Sequence, residues 1–426
     1  MRVSFQNSIL AFTVMSLDLV VAGEIALDKE VLKKESKKGE NQGDWSRWFG
    51  KKPGRLYKNK KNPWIQSFEV GGRLHYQFAQ VEGNDVNGLD FSDSYDEFRR
   101  FRIETKTELL KYFTAEVNLN LVDDTRFRRN IDGELNFGET TYDEVSLEFD
   151  IADAFDLDFF DEFKAKIGRM KVRITEEGHT SSKEILTIER SSLANMLGGE
   201  ARRPMGAVLE MEKGDFNLML GAFSAEDSDD VFNDWSEGSF YYGSLRWEAT
   251  KELELVFDYL HNDREESISE NGISDALGYS WASALSVIYE TDRWGLLLEG
   301  IYGDNGDGET VVLPERQGSF YGAVITPWLW LVEDRLQLVL QYQFSESEES
   351  QGIQIRSRYI RGQHNDLEVD DDNGRGRRNH SIYGGLNYYI HEENLRILAG
   401  VSYDELFARD GRLDAFTYSF AFQANF

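Results

Sequence analysis

Cationic side chains recur at every second position in several stretches of this chain. In an extended strand that spacing sets fixed charges along one face. Arg73, Arg100, Arg102, Lys106, Lys164, Lys166, Arg246, Arg335 and Arg396 all lie on the polar side of such an alternation. A guanidinium stays charged and can hold an oxyanion through two parallel hydrogen bonds, so the set suits non-covalent recognition of anions. The same face carries Glu69, Glu104, Glu108, Glu116, Glu144, Glu148, Glu210, Glu212, Glu254 and Asp258. Basic rings favour anions and acidic rings favour cations; the mixture predicts a lining that orients polar solutes without strong ion preference.

Bond-making chemistry finds little support. Of six histidines, His75 lies near Ser67 and Glu69, and His179 near Ser181 and Ser182, but neither grouping forms a nucleophile motif. There is no cysteine and no HExxH spacing, so neither a metal nor any other cofactor is expected. A formal net charge of -30 would repel nucleic acid. Acidic clusters such as AEDSDD, NDREES, GDNGDGE, SESEES and EVDDDNG read as solvated external surface, although carboxylates of this kind can bridge lipopolysaccharide through divalent ions.

The elements that must carry these charges are strands. In SFEVGGRLHYQF, residues Phe68, Val70, Leu74, Tyr76 and Phe78 oppose Glu69, Arg73, His75 and Gln77. The same period of two runs through sixteen segments up to the carboxyl terminus. Mean hydropathy is -0.52, because each segment averages apolar and polar faces. Tight links such as Leu110 to Tyr112 and Gly214-Asp215 alternate with long ones, including Val81 to Tyr95, Val172 to Arg203, Glu346 to Arg378 and Asp404 to Leu413. Short turns on one rim and long loops on the other predict an all-β transmembrane antiparallel barrel of sixteen strands. Tyr241, Trp247, Trp281, Tyr289, Trp294, Tyr302, Trp328, Trp330, Tyr388 and Tyr389 would form its aromatic girdles.

The first 22 residues read as a signal peptide, with Arg2 followed by the mainly apolar run Ile9 to Ala22. Residues 23–62 are lysine-rich and unpatterned, as in a basic periplasmic linker, which leaves residues 63–426 for the barrel. The expected location is the cell outer membrane, among its lipid and lipopolysaccharide.

The segments DEFRRFRIETKTEL, IGRMKVR, TSSKEILTIERSSLANML and YGGLNYYI resemble the phosphate-selective porin O and P family. The terminal strand AFTYSFAFQANF also resembles the assembly signal of outer-membrane barrels. The resemblance implies a trimer whose third external loop folds inward and narrows the channel, with arginines and lysines laddered along the lumen. That loop would be Val172 to Arg203, with a short helix over about Ser182 to Leu197 capped by Ser181 or Ser182. Ser181, Ser182, Lys183, Glu189, Arg190, Arg202 and Arg203 are its candidate solute-facing residues, and Glu189 and Arg190 serve equally as wall anchors. The function expected is passive diffusion of small hydrophilic or ionic solutes, phosphate or other anions among them. A non-conducting structural or adhesive barrel, and less so an outer-membrane hydrolase, are the alternatives.

Overall fold

The computed structural model describes residues 54–122, 137–198, 203–225, 235, 238–263, 268–269, 272–273, 278–307, 313–355, 357, 359–360 and 374–426. Sixteen antiparallel strands close into one cylinder. They are β1 Ile65–Asn84, β2 Asp90–Leu109, β3 Phe113–Val122, β4 Phe137–Asp150, β5 Glu162–Arg169, β6 Met205–Lys213, β7 Phe216–Ser224 and β8 Ser239–Glu248. Then follow β9 Leu253–Asp263, β10 Trp281–Glu290, β11 Trp294–Asp304, β12 Ser319–Val332, β13 Leu336–Ser347, β14 Arg378–His391, β15 Leu395–Phe407 and β16 Arg412–Asn425. Each strand pairs with the next, and β16 returns to β1 from Arg73 opposite Asn425 to Asn84 opposite Asp414.

Burial is inverted relative to a water-soluble protein. Outward side chains such as Phe257, Leu285, Leu340 and Ile382 are about half exposed, whereas inward Asp258, Ser286, Glu299, Gln343 and Asn387 are buried. An exposed apolar belt around a polar interior is what a hydrocarbon solvent selects. Closure pairs the first strand with the last, so the sheet has no terminal strand without a neighbour.

The seam at β1 and β16 is tight. Gly72 and Phe426 exchange backbone hydrogen bonds of 2.9 and 3.1 Å. A Cβ on Gly72 would stand 2.5 Å from the Arg102 carbonyl and 2.8 Å from the Phe426 ring. Just below, the short strand Arg55–Lys58 pairs with the edge of β1 that β16 leaves free, with Tyr57 opposite Phe68 and Lys58 opposite Ser67. Among the described residues, hydrogen bonding with the barrel therefore begins at Gly54, whose carbonyl accepts from Val70 N at 2.7 Å, inside the stretch read as linker.

Two loops expected to be long are short. β1 and β2 continue to a five-residue link at 85–89, and β15 and β16 to a four-residue link at 408–411. Their upper ends stay paired because inward Val81, Phe91, Leu406, Leu413 and Ala415 belong to an apolar cluster inside the lumen. The seventh long link supplies part of that cluster through Ile353, Ile355 and Ile360. Its Tyr359 reaches Gln77 at 2.7 Å and Glu97 at 3.1 Å on β1 and β2. Among the described residues, two loops thus fold into the lumen where sequence indicated one.

Gly72→Val is expected to prevent seam closure, seen as loss of the compact, heat-modifiable band in unheated gel electrophoresis. Gly243→Ala, whose added Cβ meets nothing nearer than 3.8 Å, should keep that band.

Candidate functional site: a basic constriction

The third loop, residues 170–204, leaves β5 and crosses the lumen. Its path is fixed by polar groups on the wall. Thr175 and Glu176 donate their backbone N–H groups to Asp258 Oδ2 at 2.9 Å and Glu299 Oε1 at 2.6 Å. These start helix α1 Glu176–His179, and His179 Nε2 meets Asp258 Oδ1 at 2.9 Å. Gln341 donates to Glu177 at 3.0 Å, Asn387 to the Leu186 carbonyl at 2.7 Å, and Tyr279 to the Leu197 carbonyl at 2.7 Å. Ile174, Leu193 and Leu197 pack fully buried against Phe223, Phe240 and Phe320, contributing about 2 kcal/mol each.

Only the end of the expected helix forms. Helix α2 spans Ser192–Leu197 and is capped by Ser191, whose side chain accepts from Ala194 N at 3.2 Å. Residues 182–191 are not helical, which corrects the longer span and the cap at Ser181 or Ser182. The wall takes the Leu186 carbonyl that a helix would use, and Ile185, Thr187 and Ile188 are β-branched.

Between this loop and the inner faces of β1, β2 and β4 lies a cavity of about 160 Å³. Its lining includes Arg73, Arg99, Arg100, Arg102, Lys171, Arg173, Arg190 and Arg203, against two carboxylates, Asp143 and Glu144. Two bulges concentrate the charge. Register slips between His75 and Tyr76 on β1 and between Asn118 and Leu119 on β3, leaving Arg99 and Asp143 without ladder positions. Arg99 therefore lines the cavity beside Arg100, and Asp143 beside Glu144, which strict alternation forbids. The period-two reading missed both for that reason; Lys171 and Arg173, where the loop leaves β5, were also missed as solute-facing groups.

Arg102 and Arg203 both grip Asp143, at 2.5 and 3.1 Å. Glu104 receives Arg73 and Lys183, the latter at 2.8 Å, while Arg73 also donates to Ser182 Oγ at 2.5 Å. Glu189 is a wall anchor, held by both arms of Arg99 at 2.7 and 3.1 Å. Arg190 lines the cavity while donating to the Glu177 and Thr180 carbonyls at 2.6 and 2.7 Å. Ser181 also lines it. Arg202 lies outside the described residues.

The remaining sequence candidates lie elsewhere. Lys106 and Lys166 share Glu116 at 3.4 and 2.9 Å, and Lys164 pairs with Glu162, all towards the short-turn rim. Arg246 ties Glu176 of the loop to Glu254 of the wall. Arg396 is fully buried beside Gln423 and Glu393. Arg335 stands exposed in the turn before β13, bonded to the Ile390 carbonyl at 3.4 Å. The Arg335 carbonyl accepts from Tyr389 N at 2.9 Å, continuing the ladder of β13 and β14 to the short-turn rim.

Among these charges, burial and then the guanidinium groups of Arg190, Arg203 and Arg173 hold the Lys171 ammonium well below its usual range. Its Nζ donates to the Gly178 carbonyl at 3.0 Å. An arrangement with this excess of cations can attract and briefly hold an anion.

Comparisons with known proteins agree with this architecture. The profile described as "Phosphate-selective porin O and P" matches residues 68–287. No curated protein sequence is similar enough to count as a relative. Among solved structures, the outer-membrane channel DcaP of Acinetobacter baumannii superposes with TM-score 0.57 at 12% identity, over 87% of this chain and 100% of that one. An anion-selective porin from Comamonas acidovorans gives TM-score 0.53 at 12% identity, over 84% and 99%. OmpT of Vibrio cholerae, in a trimer form, gives 0.52 at 9%, over 84% and 99%.

Because the Lys171 value is lowered, its charge is lost before ordinary lysines titrate near 10.4. Any anion preference read from reversal potential should fall as pH rises towards that range, by about two- to threefold. Lys171→Met should start lower and flatten the profile.

Proposed function

The chain belongs to the phosphate-selective porin O and P family, and on that footing we propose that its constriction favours anions, with inorganic phosphate among the solutes held there. The protein is an outer-membrane porin that lets small solutes diffuse passively, a channel and not an enzyme. The anion preference is carried by one observation, the eight cationic side chains facing two carboxylates at the constriction. In a narrow, low-dielectric passage, fixed charges act on a solute far more strongly than at an open surface. Arg73, Arg100, Arg102, Arg190 and Arg203 would offer guanidinium N–H groups to oxyanions, and Ser181 and Ser182 hydroxyls. Lys106, Lys164, Lys166 and Arg246, neutralised by neighbouring glutamates, would line the path beyond it.

A homotrimer in lipid and lipopolysaccharide is the assembly we assign, supported by the family and by the trimer form of the Vibrio cholerae structure. Export through a signal peptide at residues 1–22 rests on composition, as does a basic tether after it.

Single-channel recording under a potassium chloride gradient tests the reading. The reversal potential should report anion preference, and added phosphate should block the chloride current. Arg173→Gln, which removes an exposed cavity cation, should lower that preference by about two- to threefold and leave folding intact. Cation preference, or absence of conductance, would overturn the proposal, and the latter would favour a structural barrel.

A further inference from the structure

We propose that His75, its tautomer set by Asn425 of the closing strand, is the positioning residue that aims Arg100 into the constriction. The inference rests on the anion-binding reading above and adds a residue that contacts no solute itself.

Arg100 is only 3% exposed, and the carboxylate whose charge reaches it, Glu189, is held by both arms of Arg99. Its recorded side-chain bond is from Nη1 to His75 Nδ1, at 3.4 Å. A guanidinium can only donate, so His75 Nδ1 must present its lone pair. The ring proton then sits on Nε2, which lies 2.9 Å from Asn425 Oδ1. That leaves the Asn425 amide nitrogen to donate to the Glu393 carbonyl, at 2.7 Å. Reversing the Asn425 amide would set two oxygens face to face, so the direction of every bond in the series is settled by chemistry.

The ring is wholly buried and faces Arg100, Arg73 and Arg396. An imidazolium there would lose its acceptor and add a fourth cation to three, so only the neutral ring can hold Arg100. The series runs from Arg100 on β2 through His75 on β1 to Asn425 on β16, across the seam of the barrel. Closure of the cylinder therefore completes the constriction as well as the wall.

The test compares His75→Phe, which keeps the bulk and removes both nitrogens, with His75→Gln, whose amide can accept from Arg100 and donate to Asn425. Each purified full-length protein is titrated with inorganic phosphate while chloride current is recorded. His75→Phe should raise the half-blocking phosphate concentration about tenfold while conductance in potassium chloride stays within about twofold. His75→Gln should return it to within about threefold of the parent. Asn425→Leu should shift it in the same direction as His75→Phe, and is read in its place if that variant does not fold.

An unchanged half-block in His75→Phe, or in Asn425→Leu where that is read instead, would overturn the inference. So would equal loss in His75→Phe and His75→Gln, because a packing role alone does not distinguish an acceptor from its absence. If the parent protein shows neither phosphate block nor anion preference, the anion reading itself falls and takes this inference with it.

Discussion

Sixteen strands enclose a hole wider than their own side chains can fill, so the behaviour of this protein depends on how the third loop is fastened across it. The fastening is polar and points from the wall to the loop backbone. Asp258 and Glu299, both buried, accept the N–H groups of Thr175 and Glu176, and side-chain amides from β13 and β14 hold Glu177 and the Leu186 carbonyl. Bonds to charged groups contribute about 1.5–3 kcal/mol each. Buried Leu193 and Leu197 add an apolar footing where water is excluded.

Once the loop is in place, the charges sort themselves by position. Towards the short-turn rim Lys164 pairs with Glu162, and Glu116 serves Lys106 and Lys166. At the constriction Asp143 must serve both Arg102 and Arg203, while Glu189, the carboxylate whose charge reaches Arg100, is held by Arg99. A chain of net charge -30 thus contains a short passage of the opposite sign. On the side of β14 to β16 the loop packs instead through Ile188 on Leu398 and Ala421, and the seventh loop adds Ile353 and Ile355 above. The passage is consequently one-sided.

Much of the cylinder was legible because lipid imposes a period of two on every wall segment. All sixteen strands coincide with alternating stretches, and the long third link folds inward. What sequence could not convey are departures from alternation and contacts between distant segments. Bulges at Arg99 and Asp143 bring neighbouring residues to one face. The upper inner faces of β7 to β12 hold Phe223, Phe240, Leu260 and Phe320, apolar residues that pattern alone sends to lipid or leaves unexplained. The mixed-sign lumen inferred from parity averaged along its length what the fold separates into a basic constriction and paired charges elsewhere.

The most direct measurement of a one-sided basic passage uses the absence of cysteine in the chain. Arg173→Cys and Ala421→Cys would each be exposed to a small anionic thiol reagent while chloride current is recorded. The constriction predicts rapid modification and falling current for Arg173→Cys, and no change for Ala421→Cys behind the loop. Equal reaction at both positions would contradict the account, because the loop would then not divide the lumen.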